Sequence, residues 1–259
     1  CEYYGVPVVD FKVPFAKDID YGELERTVEV ERPDVFLCQH HETSTGQMFN
    51  LEKISGICHR HNVSLVVDVI STFLAEELDM DALGIDICVT STQKGLNIPP
   101  GLSILFISKR LEGYEYAHRG YYWDFEDNLG NLKRGQTPFS PATLIYLQLN
   151  ARLRQLQAQG GEMYNISQVR HRAEVFRKEC RRYGWTMPAE NPSYAITAIQ
   201  TKDTAGRRIF RGLIERYETF IMPGSLPGFY RISHMGLQTD EELRTLAERI
   251  HLIETEIDE

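Results

Sequence analysis

Two short runs constrain this chain more than any other feature. They are Ser64-Leu65-Val66-Val67-Asp68 and Asp86-Ile87-Cys88-Val89-Thr90-Ser91, the second continuing through Thr92-Gln93 to Lys94. Each is apolar with little alternation and closes on polar residues, the pattern of a strand covered on both faces. In an open α/β sheet, chemistry gathers just beyond the carboxyl ends of such strands. Asp68 ends the first run and Lys94 lies just past the second, so the pattern predicts two opposite charges at one crevice.

The rest of the chain supplies the elements such a sheet needs. Val6-Pro7-Val8-Val9 reads as a short strand. Asp20 and Glu23 form a capping box for a helix carrying Leu24 and Val28. Residues 34–38 read as a strand that leads into His41-Glu42-Thr43-Ser44-Thr45-Gly46. Asn50 caps a helix with Leu51, Ile54, Ile57 and Cys58 at helical spacing. After strands 64–68 and 86–91 comes another, 102–107. This strand–helix–strand order predicts a largely parallel sheet with right-handed crossovers. Residues 113–139, rich in Tyr, Gly and charge, read as irregular. Ser140-Pro141 reads as a helix start, cap then first turn. The long helical stretch behind it, to about Tyr183, breaks at Gly160-Gly161, the predicted hinge between domains 1–160 and 161–259. The second domain reads as α+β, with strands at 194–200, 220–222 and 229–232. Its helices lie at 209–217 and behind the capping box Thr239/Glu242, the last marked by Leu243, Leu246, Ile250, Ile253 and Ile257.

Composition excludes several classes. At 259 residues the chain can hold a sizeable core and two domains. A net charge of −9 argues against a general nucleic-acid surface. No apolar run is long enough to span a membrane. Cys1-Glu2-Tyr3-Tyr4 lacks the basic and apolar parts of a signal peptide. Five scattered cysteines make no disulfide framework and favour a reducing cytoplasm. His40, His41, Cys58, His59 and His61 do not have the spacing of a standard zinc site, so no metal is expected.

An amine and a carboxylate at one crevice suit pyridoxal 5'-phosphate (PLP) above other cofactors. It takes a lysine in a Schiff base and an acidic partner at its ring nitrogen. The motifs HETSTG, VVDVIS and STQKGLNIPPG resemble, in order and spacing, those of class V aminotransferases of PLP fold type I. The resemblance is to the alanine–glyoxylate, serine–pyruvate and 2-aminoethylphosphonate–pyruvate branch, and it runs from near Cys1 to the end of the chain. It implies a mostly parallel large domain, here incomplete, plus a small α+β C-terminal domain. It implies transfer of an amino group from a small amino acid or aminophosphonate to pyruvate or glyoxylate, in a homodimer.

Residue by residue, the resemblance makes Lys94 the Schiff-base lysine and Asp68 the partner of the ring nitrogen. Thr43, or in second place Ser44, supplies a hydroxyl to the ring oxygen. Gln93 stands before the lysine as in the alanine–glyoxylate branch, where the related cysteine desulfurases usually carry His. Thr137 matches the threonine that reaches a cofactor phosphate across the dimer, although Arg134 stands where the family often has Tyr. Arg231, in Phe229-Tyr230-Arg231-Ile232-Ser233, matches the arginine that holds the substrate carboxylate. One departure is larger. The family opens with a phosphate-cradling Ser/Gly loop at a helix N-terminus and an aromatic residue that stacks on the ring, and Gly5-Val6-Pro7 is not such a loop. The expectation is a fragment of a longer enzyme or a site completed by a separate chain. The alternatives are a non-catalytic scaffold and a related PLP lyase or desulfurase.

Overall fold

Asp20 starts the first helix as its sequence predicts. Its carboxylate accepts from the amides of Gly22 and Glu23, each at 3.0 Å, and α1 (Tyr21–Glu31) follows with Leu24 and Val28 buried. The structure is a computed structural model that describes residues 1–115, 120–203 and 207–258, with side chains described to Glu256. After α1 come β1 (Val35–Gln39), the short hairpin β2 (His41–Glu42) and β3 (Gln47–Met48), and α2 (Leu51–Arg60). Asn50 caps α2 by accepting from Lys53 N at 3.0 Å. Three further strands, β4 (Ser64–Asp68), β5 (Ile87–Ser91) and β6 (Ser103–Ile107), complete a sheet in the order β1-β4-β5-β6. Strands β1, β4 and β5 are parallel and β6 is antiparallel to β5. The sheet is therefore mostly parallel with one antiparallel strand.

Only one of its faces is covered. Leu65, Val67 and Cys88 meet Leu24, Ile54 and Cys58 of the two helices in a single cluster. On the opposite face Val35 is 51% and Leu37 62% exposed. Leu37 pairs with the half-buried Val66 across the ladder. The two-sided cover expected from the Leu/Val runs is thus present on the helix side and lacking on the other, among the described residues.

Several local expectations are corrected. Residues 6–9 form no strand; Pro7 removes one ladder donor, and no strand among the described residues lies alongside to pair with the others. The 113–139 stretch contains a helix, α3 (Phe125–Leu132), whose start Asp124 caps at Asp127 N, 2.9 Å away. Residues 116–119 of that stretch lie outside the described residues. Helix α4 (Thr143–Ala158) begins beyond Ser140-Pro141, with Ala142 at the cap position and no side-chain cap. Thr143 N bonds back to Pro141 O at 2.8 Å, a turn that leaves both predicted start residues outside the helix.

The break at Gly160-Gly161 is present. Both glycines have positive φ, 109° and 79°, a region open to residues without a Cβ, and α5 (Gly161–Tyr183) begins there. The chain then forms β7 (Ile196–Gln200), α6 (Arg208–Tyr217), β8 (Met222–Pro223), β9 (Phe229–Ser233) and α7 (Asp240–Asp258). The strands make an antiparallel sheet, β7-β9-β8. Phe176 of α5, Leu213 of α6 and Ile250 of α7 pack with Ile199 and Tyr230 in its core. The strand read at 220–222 is only the two-residue β8, ending at Pro223, which has no amide to extend the ladder. The predicted box closes α7 from both sides: Glu242 N donates to Thr239 Oγ1 at 3.2 Å, and Thr239 N to Glu242 Oε2 at 2.7 Å. Leu243, Ile250 and Ile253 behind it are buried, and the side chain of Ile257 lies outside the described residues.

Candidate active site

Sheet register brings the key residues to one edge. Strands β4 and β5 are neighbours, with Asp68 level with Val89. Strand β1 lies on the other side of β4, with Gln39 level with Asp68, and His40 N donates to Asp68 O at 2.9 Å. The segments leaving β1, β4 and β5 therefore meet beyond the carboxyl ends of the strands. Asp68 is exposed although it ends a central strand, and Lys94 is half-buried. One carboxylate oxygen of Asp68 accepts from Ile70 N at 2.8 Å, which aims the group without neutralising it.

The loops beyond the two residues are interlocked. Past β5, Asn97 N donates to Lys94 O at 2.8 Å, and Thr92 Oγ1 to Pro99 O at 2.8 Å. Gly95 lies against the loop that follows Asp68, so closely that a Cβ there would stand 2.0 Å from Phe73 O. Only a glycine permits that approach.

Two buried histidines back the crevice. His40 Nδ1 pairs with Thr72 Oγ1 at 3.1 Å and His41 Nδ1 with Ser71 Oγ at 2.8 Å, tying the segment after β1 to the loop after β4. Burial pushes His40 down to about 4. Burial first, then the charges of His40 and Lys94, pushes His41 down to about 3. Both rings are neutral at neutral pH. His41 is 3% exposed, and its Nε2 is buried without a partner, as are Thr90 Oγ1 and Ser91 Oγ at the end of β5. In the sequence, His41 and Ser71 stand only as members of the HETSTG and VVDVIS motifs, and their pairing is not marked. The Ser71-Thr72 pair directly behind an apolar strand was the available signal.

The remaining residues fall into two groups. Thr43 sits in the turn between β2 and β3, which Glu42 organises by accepting from Ser44 N at 2.8 Å and Gln39 Nε2 at 3.1 Å. Gly46 O of the same turn accepts from Ser193 N at 2.9 Å, so the turn is docked on the C-terminal sheet. Arg231 reaches across from β9, and its Nη1 donates to Thr43 O at 3.0 Å. Its Nε is buried and unpartnered, and no carboxylate pairs with it among the described residues. Gln93 is exposed beside Lys94. Thr137 lies apart: its hydroxyl donates to Phe139 O at 2.6 Å in its own loop, and no contact joins it to Asp68 or Lys94.

An amine, an exposed carboxylate, turn hydroxyls, and buried imidazole and hydroxyl groups lacking partners are the donor set a PLP ring would engage. Residues 1–116 match the family Aminotransferase class-V. A relative named L-aspartate–glyoxylate aminotransferase, from Paracoccus denitrificans, is 27% identical over 93% of this chain and 64% of its own length. Another, from Synechococcus, is named soluble hydrogenase, small subunit, and is 25% identical over 99% of this chain and 70% of its own. The chain thus spans about two thirds of the length of these relatives. Among solved structures, alanine–glyoxylate aminotransferase from Nostoc superposes with a TM-score of 0.88 over 97% of this chain and 70% of that one, at 23% identity. The first 116 residues thus match the class V aminotransferases, a family dependent on PLP, and the whole chain shares the fold type I architecture of the solved Nostoc enzyme.

Proposed function

We propose that this chain carries the active site of an aminotransferase that moves an amino group from a small amino acid or aminophosphonate to pyruvate or glyoxylate. The observation that carries the reading is the placement of Asp68 and Lys94 at the ends of adjacent parallel strands, with the loops beyond them locked together. When bound, PLP supplies a cationic ring that takes up the electron pair left at the substrate α-carbon. Lys94 holds the cofactor covalently and moves a proton to and from that carbon. The Asp68 carboxylate keeps the ring nitrogen protonated. Thr43, or Ser44, donates a hydroxyl to the ring oxygen, and Gln93 lines the site beside the lysine. His40 and His41, being neutral, add no cation beside the Lys94 amine. Arg231 grips the carboxylate of both substrates with two parallel hydrogen bonds.

The wider organisation belongs to the same proposal. Residues 1–160 act as the cofactor-binding part and 161–259 as the small domain. The chain works as a homodimer in which Thr137 serves the site of the second copy, since its own loop holds it away from Lys94. A further segment or a separate chain would complete the phosphate end of the site. No helix among the described residues is long and apolar enough to cross a membrane, and the five unpaired cysteines suit a cytoplasmic setting.

The test is spectroscopic. The complete protein, mixed with PLP, should develop a visible absorption band, and borohydride should fix the cofactor on the peptide containing Lys94. Lys94→Ala should do neither. A complete wild-type protein that traps no cofactor at Lys94 would end the proposal.

A further inference from the structure

Helix α4 carries a charge on its buried stripe. Leu149 and Leu156 face the core, and between them Arg152 is only 8% exposed. No carboxylate pairs with Arg152 among the described residues. Its hydrogen-bond partners are three neutral oxygens: Nε donates to Leu96 O at 3.0 Å, Nη1 to Gln155 Oε1 at 2.9 Å and Nη2 to Asn165 Oδ1 at 2.9 Å. Burying a guanidinium without a carboxylate is costly, and an apolar side chain in the stripe would avoid that cost. What the guanidinium adds is directional hold on a chosen backbone atom, two residues beyond Lys94.

Asn165, on α5 and also 8% exposed, extends that hold. Its Nδ2 donates to Leu74 O at 2.7 Å, in the loop that follows Asp68. Leu74 has a φ of 61°, a left-handed conformation unfavourable for a leucine, so its backbone needs an external anchor. The two anchored loops touch each other where Gly95 meets Phe73 O. The contacts close a ring: Leu96, Arg152, Asn165, Leu74, Phe73, Gly95. The Gly160-Gly161 break lies between Arg152 and Asn165, so the angle at which α4 meets α5 sets the distance between the two carbonyls they hold.

We infer that Arg152 and Asn165 are positioning residues for the Lys94–Asp68 pair, holding the lysine loop and the aspartate loop in one fixed relation from the α4–α5 joint. The role rests on the aminotransferase reading above. Neither residue touches the reacting atoms. Each acts through a backbone carbonyl, and the two act as one unit because Arg152 Nη2 bonds to Asn165 Oδ1.

Amide hydrogen exchange of the cofactor-free chain tests the clamp directly, with Arg152→Met, Asn165→Leu and the double variant. Asn97 and Ile98 report on the lysine loop, and Phe73, Ala75 and Glu76 on the aspartate loop. Loss of about one hydrogen bond's worth of hold should raise exchange about tenfold in both loops for either single variant. The double variant should add little to that, as expected for residues in one network. Amides within α7 should stay within about twofold. In the complete protein the single variants should lower kcat about tenfold and leave KM for the amino donor, gripped by Arg231, within about twofold. Faster exchange only in the loop nearest the substitution, a uniform rise across the chain, or an unchanged kcat would overturn the inference. Should Arg152→Met fail to fold, Asn165→Leu reads the same ring from its other end. A wild-type protein that traps no cofactor at Lys94 would remove the aminotransferase reading, and the exchange experiment, which needs no cofactor, would still decide whether the clamp exists.

Discussion

Arg231 and Gly95 show how single residues set this site. Arg231 already spends one guanidinium nitrogen on Thr43 O, which fixes the side chain's direction and leaves other nitrogens to meet a carboxylate. Arg231→Lys keeps the charge and loses the second parallel hydrogen bond, worth about 1.5–3 kcal/mol. Steady-state kinetics should then show a higher KM for both donor and acceptor and a fall in kcat/KM of at least about tenfold, with cofactor capture at Lys94 nearly unchanged. A variant that loses cofactor while handling substrate normally would place the carboxylate elsewhere. Gly95→Ala should act through packing alone. Its Cβ would meet Phe73 O at 2.0 Å, so one of the two loops must move. Overpacking of that kind typically costs about 1–3 kcal/mol, visible as a lower urea midpoint, and it should slow cofactor capture because Lys94 is the adjacent residue. The placement of Asp68 at a strand end and of Lys94 just past the next strand was legible in the sequence, whereas the close approach at Gly95 depends on a loop partner that no local signal names. Arg152 was legible in principle, as a charge at the i+3 place between Leu149 and Leu156. It passed unremarked because a lone arginine in a helix normally lies on the wet face.

Elements were legible where a local signal set both their start and their period. Asn50 and Thr239 announced α2 and α7, and the structure carries both caps. Thr239→Ala removes a hydroxyl that receives Glu242 N and contacts the Glu242 carboxylate, so thermal unfolding should show a loss of about 1 kcal/mol. Thr239→Ser should retain most of the stability, since it keeps the hydroxyl, and equal losses in the two variants would refute the cap. Less could be read where a partner element decides the outcome. Periodicity predicted a strand at 102–107 but carries no direction, and β6 proved antiparallel. Residues 6–9 have strand composition, but a strand needs a neighbour to bond. The α4 start was misread because Ser-Pro is a good cap in isolation, whereas the turn from Thr143 N to Pro141 O excludes both residues. The same limit applies to the sheet. The run Val35-Phe36-Leu37-Cys38 is apolar on both sides of the alternation, and no property of it says whether a second layer is there to cover Val35 and Leu37.

At the scale of the whole molecule, α5 joins the loop after β4, through Asn165 and Val169, to the C-terminal sheet. Arg172 Nε donates to His234 O at 2.9 Å, just beyond β9. Arg177 Nε donates to Thr197 Oγ1 of β7 at 3.0 Å, and His234 Nε2 pairs with the same hydroxyl at 2.8 Å. From the N-terminal side, the buried Glu76 accepts from Tyr194 N, just ahead of β7. Two titrating groups in this junction pull stability in opposite directions. Burial first, then the cations Arg177 and Arg172, pushes His234 down to about 3. The unfolded chain, with His near 6.5, therefore takes up the proton first as pH falls. The stability His234 contributes is complete above about pH 6.5 and is lost as pH falls toward 3. Glu76 is shifted the other way, raised by burial, so its contribution is present below its unfolded value of 4.5 and is lost as pH rises through its folded value. Urea unfolding of the cofactor-free chain as pH is lowered from 6.5 toward 4.5 separates the two. His234→Gln should flatten the fall in stability on acidification by up to about 1.4 kcal/mol per pH unit, the slope of one proton. Glu76→Gln should steepen it at any pH between 4.5 and the raised folded value of the carboxyl, because it removes the group whose protonation opposes the histidine. The slopes are the readout, so a general loss of stability in either variant does not blur the result. If His234→Gln keeps the parent slope, the imidazole is not held neutral at the α5 junction, and acid must act on this fold through its carboxylates alone.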